Sequence, residues 1–420
     1  MRRYRLIGAA AFALGAFILV PTVASSGSGS SVAGEYAPVC LPAPAAGVAS
    51  CDAIQLLNPA MNWHGTYSSR GTSNKKPGGG TTFAGYSATQ IQSAYGLTTA
   101  IGSFVSGSQT VAIVDAYDDP NAVADLAAYR QYMGLPACDT STGSGCVVKV
   151  AQDGTNNYPS PNTSWSEEIS LDLDMVSAVC PTCKILLVEA NSASMSDLAT
   201  AVRYATNNAQ VVSNSYGSKE FTGETSYDSS YTHPGIVVTA SAGDSGYGVQ
   251  YPAASPSVVA VGGTTLTTAS NPRQWSETVW SGTGSGCSTV EPNPGWQPTS
   301  KYCTTRTVAD VAAVADPNTG VAVYDTYGEP GWMVFGGTSV ASPIIASVYA
   351  LAGNASALGP SAAKGLYSAT SSSLNPVTSG ANARHCTTYL CNAAYSVINN
   401  AGSTYNGPTG NGTPNGVSGF

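Results

Sequence analysis

Basic residues, histidine and charge in general are scarce in this chain, and each scarcity excludes something. Of 420 residues only 16 are Lys or Arg, against 24 Asp or Glu, for a formal net charge of −8. A nucleic-acid binder needs a basic footprint, and none is present. Charged residues total 10% and apolar residues 43%, whereas an average soluble domain is about 25% charged. That is too apolar for a disordered chain. Beyond the N-terminus no apolar run reaches the ~20 residues that span a bilayer, so no stable membrane association is expected. There is no internal repeat. Histidine occurs three times, at His64, His233 and His385, which leaves few candidates for imidazole-based catalysis. What is abundant is Gly, with 46 residues, together with Ser and Thr; this suits a tightly turned globule of one large domain or two modest ones.

The first 24 residues have the layout of a cleavable signal peptide. Arg2, Arg3 and Arg5 precede an apolar stretch from Leu6 to Val20, and Thr22-Val23-Ala24 supplies small residues at the cleavage positions. A secreted, extracellular protein is expected. The ten cysteines agree, falling as neighbours: Cys40/Cys51, Cys138/Cys146, Cys180/Cys183, Cys287/Cys303 and Cys386/Cys391. Five short disulfide loops are the simplest pairing, although sequence leaves connectivity open. Cys180-Pro-Thr-Cys183 could alternatively be a redox dithiol or half a zinc site, but no second CxxC or CxxH completes one.

Two Gly/Ser-type spacers, Ser25–Ser31 and Gly71–Thr82, flank a short segment carrying Cys40 and Cys51. Residues 25–85 are accordingly read as a prosegment or linker, and 86–420 as the principal domain. There, β-branched runs alternate with helical patterns. Strands are expected at Thr110–Tyr117, Lys184–Ala190, Val211–Ser215, Ile236–Ala240 and Val258–Val261. Helices are expected at Asn121–Leu135, with Asn121 as its cap, and at Ser164–Val179, Ser194–Asn208 and Thr338–Ala352. This alternation implies an α/β fold, doubly wound, with a mainly parallel sheet and helices on both faces. Such sheets place their sites at the C-terminal strand ends.

Three local patterns carry chemistry. In GGTSVASP (Gly336–Pro343) two glycines allow a tight turn, and Ser339 falls in the first turn of an apolar helix, where the helix dipole favours negative charge on a nucleophile; capping alone would also place a Ser or Thr there. In SWSEEISLDLDMVSAVCP, Glu168 and Asp172 lie four apart on one helix face. Carboxyls that close share a proton, so one could take a serine proton while the other orients it. Glu167 and Asp174 are assigned to solvent. In SAGDSG (Ser241–Gly246), Asp244 sits in a Gly-flanked turn after a strand, and a protonated carboxyl there could donate to an oxyanion. None of the histidines is placed like a catalytic imidazole. His64 stands ahead of the first core strand, His233 in a turn and His385 in a late loop.

Taken together these residues resemble the sedolisin family, the serine-carboxyl peptidases of subtilisin-like fold. The order matches over roughly residues 87–420: YSATQIQSAYGL, the ExxxD helix, SAGDSGYGVQYPAASPSVVAVGGTTL, RTVADVAAVADPNTG, GGTSVASP and TGNGTPNG. The resemblance implies Glu168 as general base, Asp172 as its partner, Ser339 as nucleophile and Asp244 as oxyanion stabiliser, in an acid-active endopeptidase acting on proteins or peptides as a monomer. It also implies a structural calcium. The two acidic ligand places hold Pro376, before Val377, and Asn406 instead, which removes the carboxylate charge calcium favours. No cofactor is required for the chemistry. Family members usually carry a large folded prosegment, whereas about 60 residues separate signal from catalytic start here. Asp115 occupies the place of the subtilisin triad aspartate and, without a matching histidine, is read as structural or as lining the site. Two other readings stand beside this one. The first is a subtilisin-type triad of Asp115, a histidine and Ser339. The second is a non-catalytic secreted binding protein on a degenerate peptidase scaffold.

Overall fold

The computed structural model describes residues 34–43, 45–59, 83–138, 146–399 and 402–420. The signal peptide assigned to residues 1–24, both spacers and His64 lie outside them. The N-terminal segment gives three short strands, β1 (Tyr36–Pro38), β2 (Ser50–Cys51) and β3 (Ile54–Leu56). Helices α1 (Ala88–Ala94) and α2 (Thr98–Ser103) lead into β4 (Thr110–Ala116), α3 (Ala122–Met133), β5 (Val147–Ala151) and α4 (Thr163–Val179). Next come β6 (Lys184–Ala190), α5 (Met195–Asn208), β7 (Val211–Asn214), β8 (Tyr216–Lys219), α6 (Asp228–Tyr231), β9 (Val237–Ser241) and β10 (Gln250–Tyr251). The second half adds β11 (Val259–Thr268), β12 (Trp275–Val279), β13 (Gly286–Pro292), β14 (Thr305–Val308) and β15 (Val311–Val314), then β16 (Val321–Asp325), β17 (Gly331–Gly336) and α7 (Thr338–Ala352).

The central sheet runs β12-β11-β9-β7-β4-β6-β5, with β15 also paired to β11. Every pairing in it is parallel except β11 with β12. Both faces are covered, and β4 shows why its sequence is apolar throughout. Val111 and Ile113 enter one core with residues of α1, α3, α4 and α7, while Ala112, Val114 and Ala116 enter the other with α5. A strand buried on both sides loses the polar–apolar alternation of a half-exposed one. The doubly wound α/β expectation holds.

Local rules place the helices. Asn162 caps α4, its Oδ1 accepting from the Trp165 N–H at 3.1 Å, and Ser194 caps α5 through the Asp197 N–H. Helix α3 ends at Gly134 in the left-handed conformation, φ 69°, which glycine adopts without a Cβ penalty. All five disulfides join the neighbouring cysteines. The RTVAD motif is structural: Arg306 forms a fully buried bidentate pair with Asp310 at 2.6 and 2.5 Å.

Two expectations need correction. Glu167 and Asp174 do not face solvent, being 7% and 1% exposed. Helix α4 is enclosed by α1, α3, α7 and β16, so it has no free face. Asn121 does not cap α3 with its side chain, which donates to Thr326 Oγ1 at 3.0 Å.

Candidate active site

Three neighbouring parallel strands, β4, β7 and β9, end at one edge of the sheet, and the chain there presents Asp115, Ser215 and Ser241. Helices α4 and α7 pack beside one another on this side. The site therefore lies where a doubly wound sheet opens, at its C-terminal edge.

Ser339 is the second residue of α7 and is wholly buried. Gly337 precedes the helix at φ +97°, a region L side chains avoid. A Cβ there would stand 2.1 Å from the Asp52 carbonyl oxygen and 2.5 Å from Asp244 Oδ2; only glycine leaves room for both. Ser339 N–H donates to the Asp52 carbonyl at 3.0 Å, and its hydroxyl donates to the Ser215 carbonyl at 3.1 Å. Pro343 inside α7 has no N–H to give the Ser339 carbonyl one turn earlier. That carbonyl instead receives the Ser215 hydroxyl at 3.4 Å.

Glu168 and Asp172 occupy successive turns of α4, both fully buried. The Ser215 hydroxyl reaches both Asp172 oxygens, at 2.7 and 2.9 Å. Neither Glu168 oxygen has a hydrogen-bond partner. Burial raises the Glu168 pKa well above the usual range, Asp172 and Asp115 raise it further, and the adjacent Ser339 hydroxyl opposes the shift. Burial likewise raises Asp172 against the pull of Ser215. Asp115, buried with both oxygens unpartnered, is raised by burial, then by Asp172 and Glu189. Carboxyls this tightly grouped titrate as a set rather than singly.

Asp244 follows β9 and is anchored through one oxygen. Its Oδ1 accepts from Thr338 N–H at 2.7 Å and Thr338 Oγ1 at 2.9 Å, while Oδ2 is buried without a partner. Burial, then Asp52, lifts its pKa well above normal. All four residues singled out in the sequence thus converge: Ser339 and Glu168 side by side, Asp172 behind Glu168, and Asp244 tied to the residue preceding Ser339. Asp115 joins them behind Asp172. His233 does not; its ring lies against Thr206 and the Ser230 carbonyl. His385 is exposed in a late loop.

Sequence reasoning missed Ser215, Thr338 and Asp52. Thr338 stood inside the quoted GGTSVASP motif, next to the nucleophile. Ser215 ended an expected strand at the functional edge, which was a usable signal. Asp52 belonged to the segment read as prosegment or linker, and nothing local marked it.

The calcium expectation can be tested on the donor set. Asn406 Oδ1 accepts from Thr409 N–H and Oγ1 at 3.0 and 2.8 Å, and its Nδ2 donates to the Val377 carbonyl at 3.0 Å. The amide oxygen of Asn406 is thus already spent on Thr409 and carries no charge, and Pro376 contributes no side-chain oxygen. These residues do not fit calcium.

A profile of the Subtilase family matches residues 143–406. Kumamolisin from Bacillus sp. (strain MN-32) is 32% identical over 279 residues, 58% of this chain and 48% of its own length. Sedolisin from Pseudomonas sp. (strain 101) is 40% identical over 152 residues, covering 32% of this chain and 25% of its own. The chain thus spans about half the length of the first relative and less of the second. Among solved structures, Pseudomonas sedolisin, a serine-carboxyl proteinase complexed with two molecules of pseudo-iodotyrostatin, superposes with a TM-score of 0.64 at 26% identity, over 80% of this chain and 96% of that one. The chain belongs to the subtilase family, as a member of its sedolisin group.

Proposed function

We propose that this protein is a secreted, acid-active serine-carboxyl endopeptidase with Ser339 as nucleophile and Glu168 as base. The carrying observation is the unpartnered, buried Glu168 carboxyl beside the Ser339 hydroxyl at the start of α7. In the first half-reaction Glu168 takes the Ser339 proton as Oγ bonds to the scissile carbonyl carbon. The resulting oxyanion receives the Ser339 N–H and the proton of a neutral Asp244. As the C–N bond breaks, Glu168 returns its proton to the leaving amine, and the acyl group stays on Ser339. Water then repeats the sequence in reverse roles and releases the acid. Asp172, held by Ser215, keeps Glu168 oriented and shares its proton load.

Acid activity follows from the same groups. Asp244 can donate only while protonated, and Asp172 beside an ionised Glu168 is stable only while neutral. Raised pKa values keep both protonated over the acidic range, and rising pH strips them. The five disulfides and the cationic, apolar N-terminus support secretion. Casein hydrolysis from pH 2 to pH 8, with Ser339→Ala and Glu168→Gln alongside, tests the assignment. An acidic optimum lost in both variants is expected. Activity persisting in Ser339→Ala, or a neutral optimum indifferent to Glu168, would sink it.

A further inference from the structure

The N-terminal segment crosses the site in the manner of a substrate. β2 pairs antiparallel with β8, Ser50 opposite Gly217 and Cys51 opposite Tyr216. The Asp52 N–H continues this ladder to the Ser215 carbonyl at 3.2 Å. Beyond the crossing, β3 pairs antiparallel with β17, Gln55 opposite Phe335 and Ile54 opposite Gly336. Both flanks of one peptide bond are thus gripped by strands that border Ser339. Between them the Asp52 carbonyl oxygen accepts the Ser339 N–H and lies over Gly337 with Asp244 Oδ2. That is where an oxyanion would be stabilised.

The Asp52 side chain enters a specific pocket. Ser241 Oγ donates to its Oδ2 at 2.5 Å, Gln250 Nε2 donates to the same oxygen, and the residue is 7% exposed. Gln250 is itself bracketed: its Nε2 also reaches the Ser241 carbonyl at 3.2 Å, and a Cβ on Gly217 would collide with its amide at 2.2 Å. Glycine at 217 therefore makes room for Gln250 to stand against the bound residue. Cys51, next to Asp52, is tied to Cys40. Both cysteines lie N-terminal to the Asp52–Ala53 bond, so cutting that bond leaves no disulfide joining the two products.

We infer that the site cleaves after aspartyl residues, which Ser241 and Gln250 recognise, and that its first substrate is its own Asp52–Ala53 bond. This rests on the peptidase reading above. The step is the acyl transfer already written: the Asp52 carbonyl carbon bonds to Ser339 Oγ, the bond to the Ala53 nitrogen breaks, and Glu168 protonates the new amine. Water then frees a fragment ending in Asp52. Until then the strand fills the cleft and excludes other substrates. Burial opposes ionisation of the Asp52 carboxyl, with a pKa near 7, so in acid it binds as a neutral group accepting two hydrogen bonds. An Asn carbonyl offers the same acceptor; a Leu side chain offers none.

The test uses the full chain and Ser339→Ala, each incubated in acidic buffer, with N-terminal sequencing and intact mass. Alongside runs a peptide of residues 47–57 with Cys51 replaced by Ser, carrying Asp, Asn or Leu at the Asp52 position. Expected are a new N-terminus at Ala53 in the active chain only, and turnover of the Asp and Asn peptides at least about tenfold above the Leu peptide, since a pocket built to hydrogen-bond rejects an analogue that cannot. In Gln250→Leu that ratio should fall severalfold. An intact Asp52–Ala53 bond in a chain that hydrolyses casein, or equal cleavage of the Leu peptide, overturns the inference and leaves the peptidase reading standing. No hydrolysis of casein or any peptide at any pH defeats the peptidase reading itself.

Discussion

Replacing Glu167 by Gln should stabilise the folded chain at neutral pH and leave it nearly unchanged in acid. Glu167 lies on the enclosed helix α4, and burial, with Glu329 and Asp325 nearby, pushes its pKa from 4.5 to about 8. The sign follows from linkage. Between these two values the folded protein keeps a proton that the unfolded chain has released, so stability is greatest below the unfolded value and falls as pH rises toward the folded one. At pH 7 the gap from 4.5 amounts to about 3 kcal/mol in the limit, and relaxation around the carboxylate brings the expected figure to the order of 2 kcal/mol. An amide has nothing to release, so Glu167→Gln removes this slope. In a domain this large that corresponds to a rise of about 3 °C in Tm at pH 7. The measurement is thermal unfolding of Ser339→Ala with and without Glu167→Gln, from pH 4 to pH 8, the shared alanine preventing self-digestion. Two curves that stay parallel across the range, or a gain confined to pH 4, would refute the reasoning.

The same linkage applies to the whole chain, because Glu189 and Glu291 are also raised to about 8 and Asp325 to about 7. Tm should therefore hold or rise from pH 7 to pH 4, and a collapse between pH 6 and pH 4 in thermal melts would contradict it. Ser215→Ala removes both hydrogen bonds to Asp172, and kcat should fall about 10- to 100-fold with KM little changed; an unaltered kcat in steady-state assays would show that Asp172 needs no anchor. Thr338→Val strips the hydroxyl donor from Asp244, leaving it only the backbone N–H of residue 338, and should lower kcat as well, with folding checked by circular dichroism. Since Asn406 spends its amide oxygen on Thr409 and Pro376 offers no side-chain oxygen, excess chelator should leave Tm unchanged, and a drop of several degrees reversed by calcium would overturn that.

Legibility in the sequence followed the range of the interaction involved. The Glu168–Asp172 pair was readable because four residues along a helix is a local distance, and Ser339 because two glycines before an apolar helix specify a local turn. The parallel sheet was readable because β4 and β6 are apolar on both faces. Glu167 and Asp174 misled because helical spacing shows which residues share a face but not whether that face meets solvent. Asp174 accepts the Tyr324 N–H of β16 through one oxygen at 2.9 Å, a partner 150 positions away that no local pattern announces. Asp52 is the extreme case. Its hydrogen-bond partners come from the turn before β8, from β9, from β10 and from α7, and its neighbours in sequence are a cysteine and an alanine.

Scarcity of histidine and crowding of carboxyls answer one requirement. An imidazole with an ordinary pKa near 6.5 is protonated in acid and cannot accept a serine proton. Carboxyls that titrate as a set can leave one member ionised in acid while its neighbours still hold protons, and that member can accept the serine proton. The environment that lifts Glu168 must contain no nearby cation, since one would pull its pKa back down, and Lys149 is engaged instead with Asp118 and Glu189. Sparse basic residues are thus a condition of the site's electrostatics as well as a feature of composition. Adding a positive charge is the sharpest check on this logic. Asp115→Asn removes one of the charges that raise Glu168, so this base ionises at lower pH and the acid limb of the pH–rate profile should shift downward, whereas Asp115→Lys should abolish hydrolysis while a folded protein remains; an Asp115→Asn profile superimposable on the parent would mean that the cluster does not act as a set.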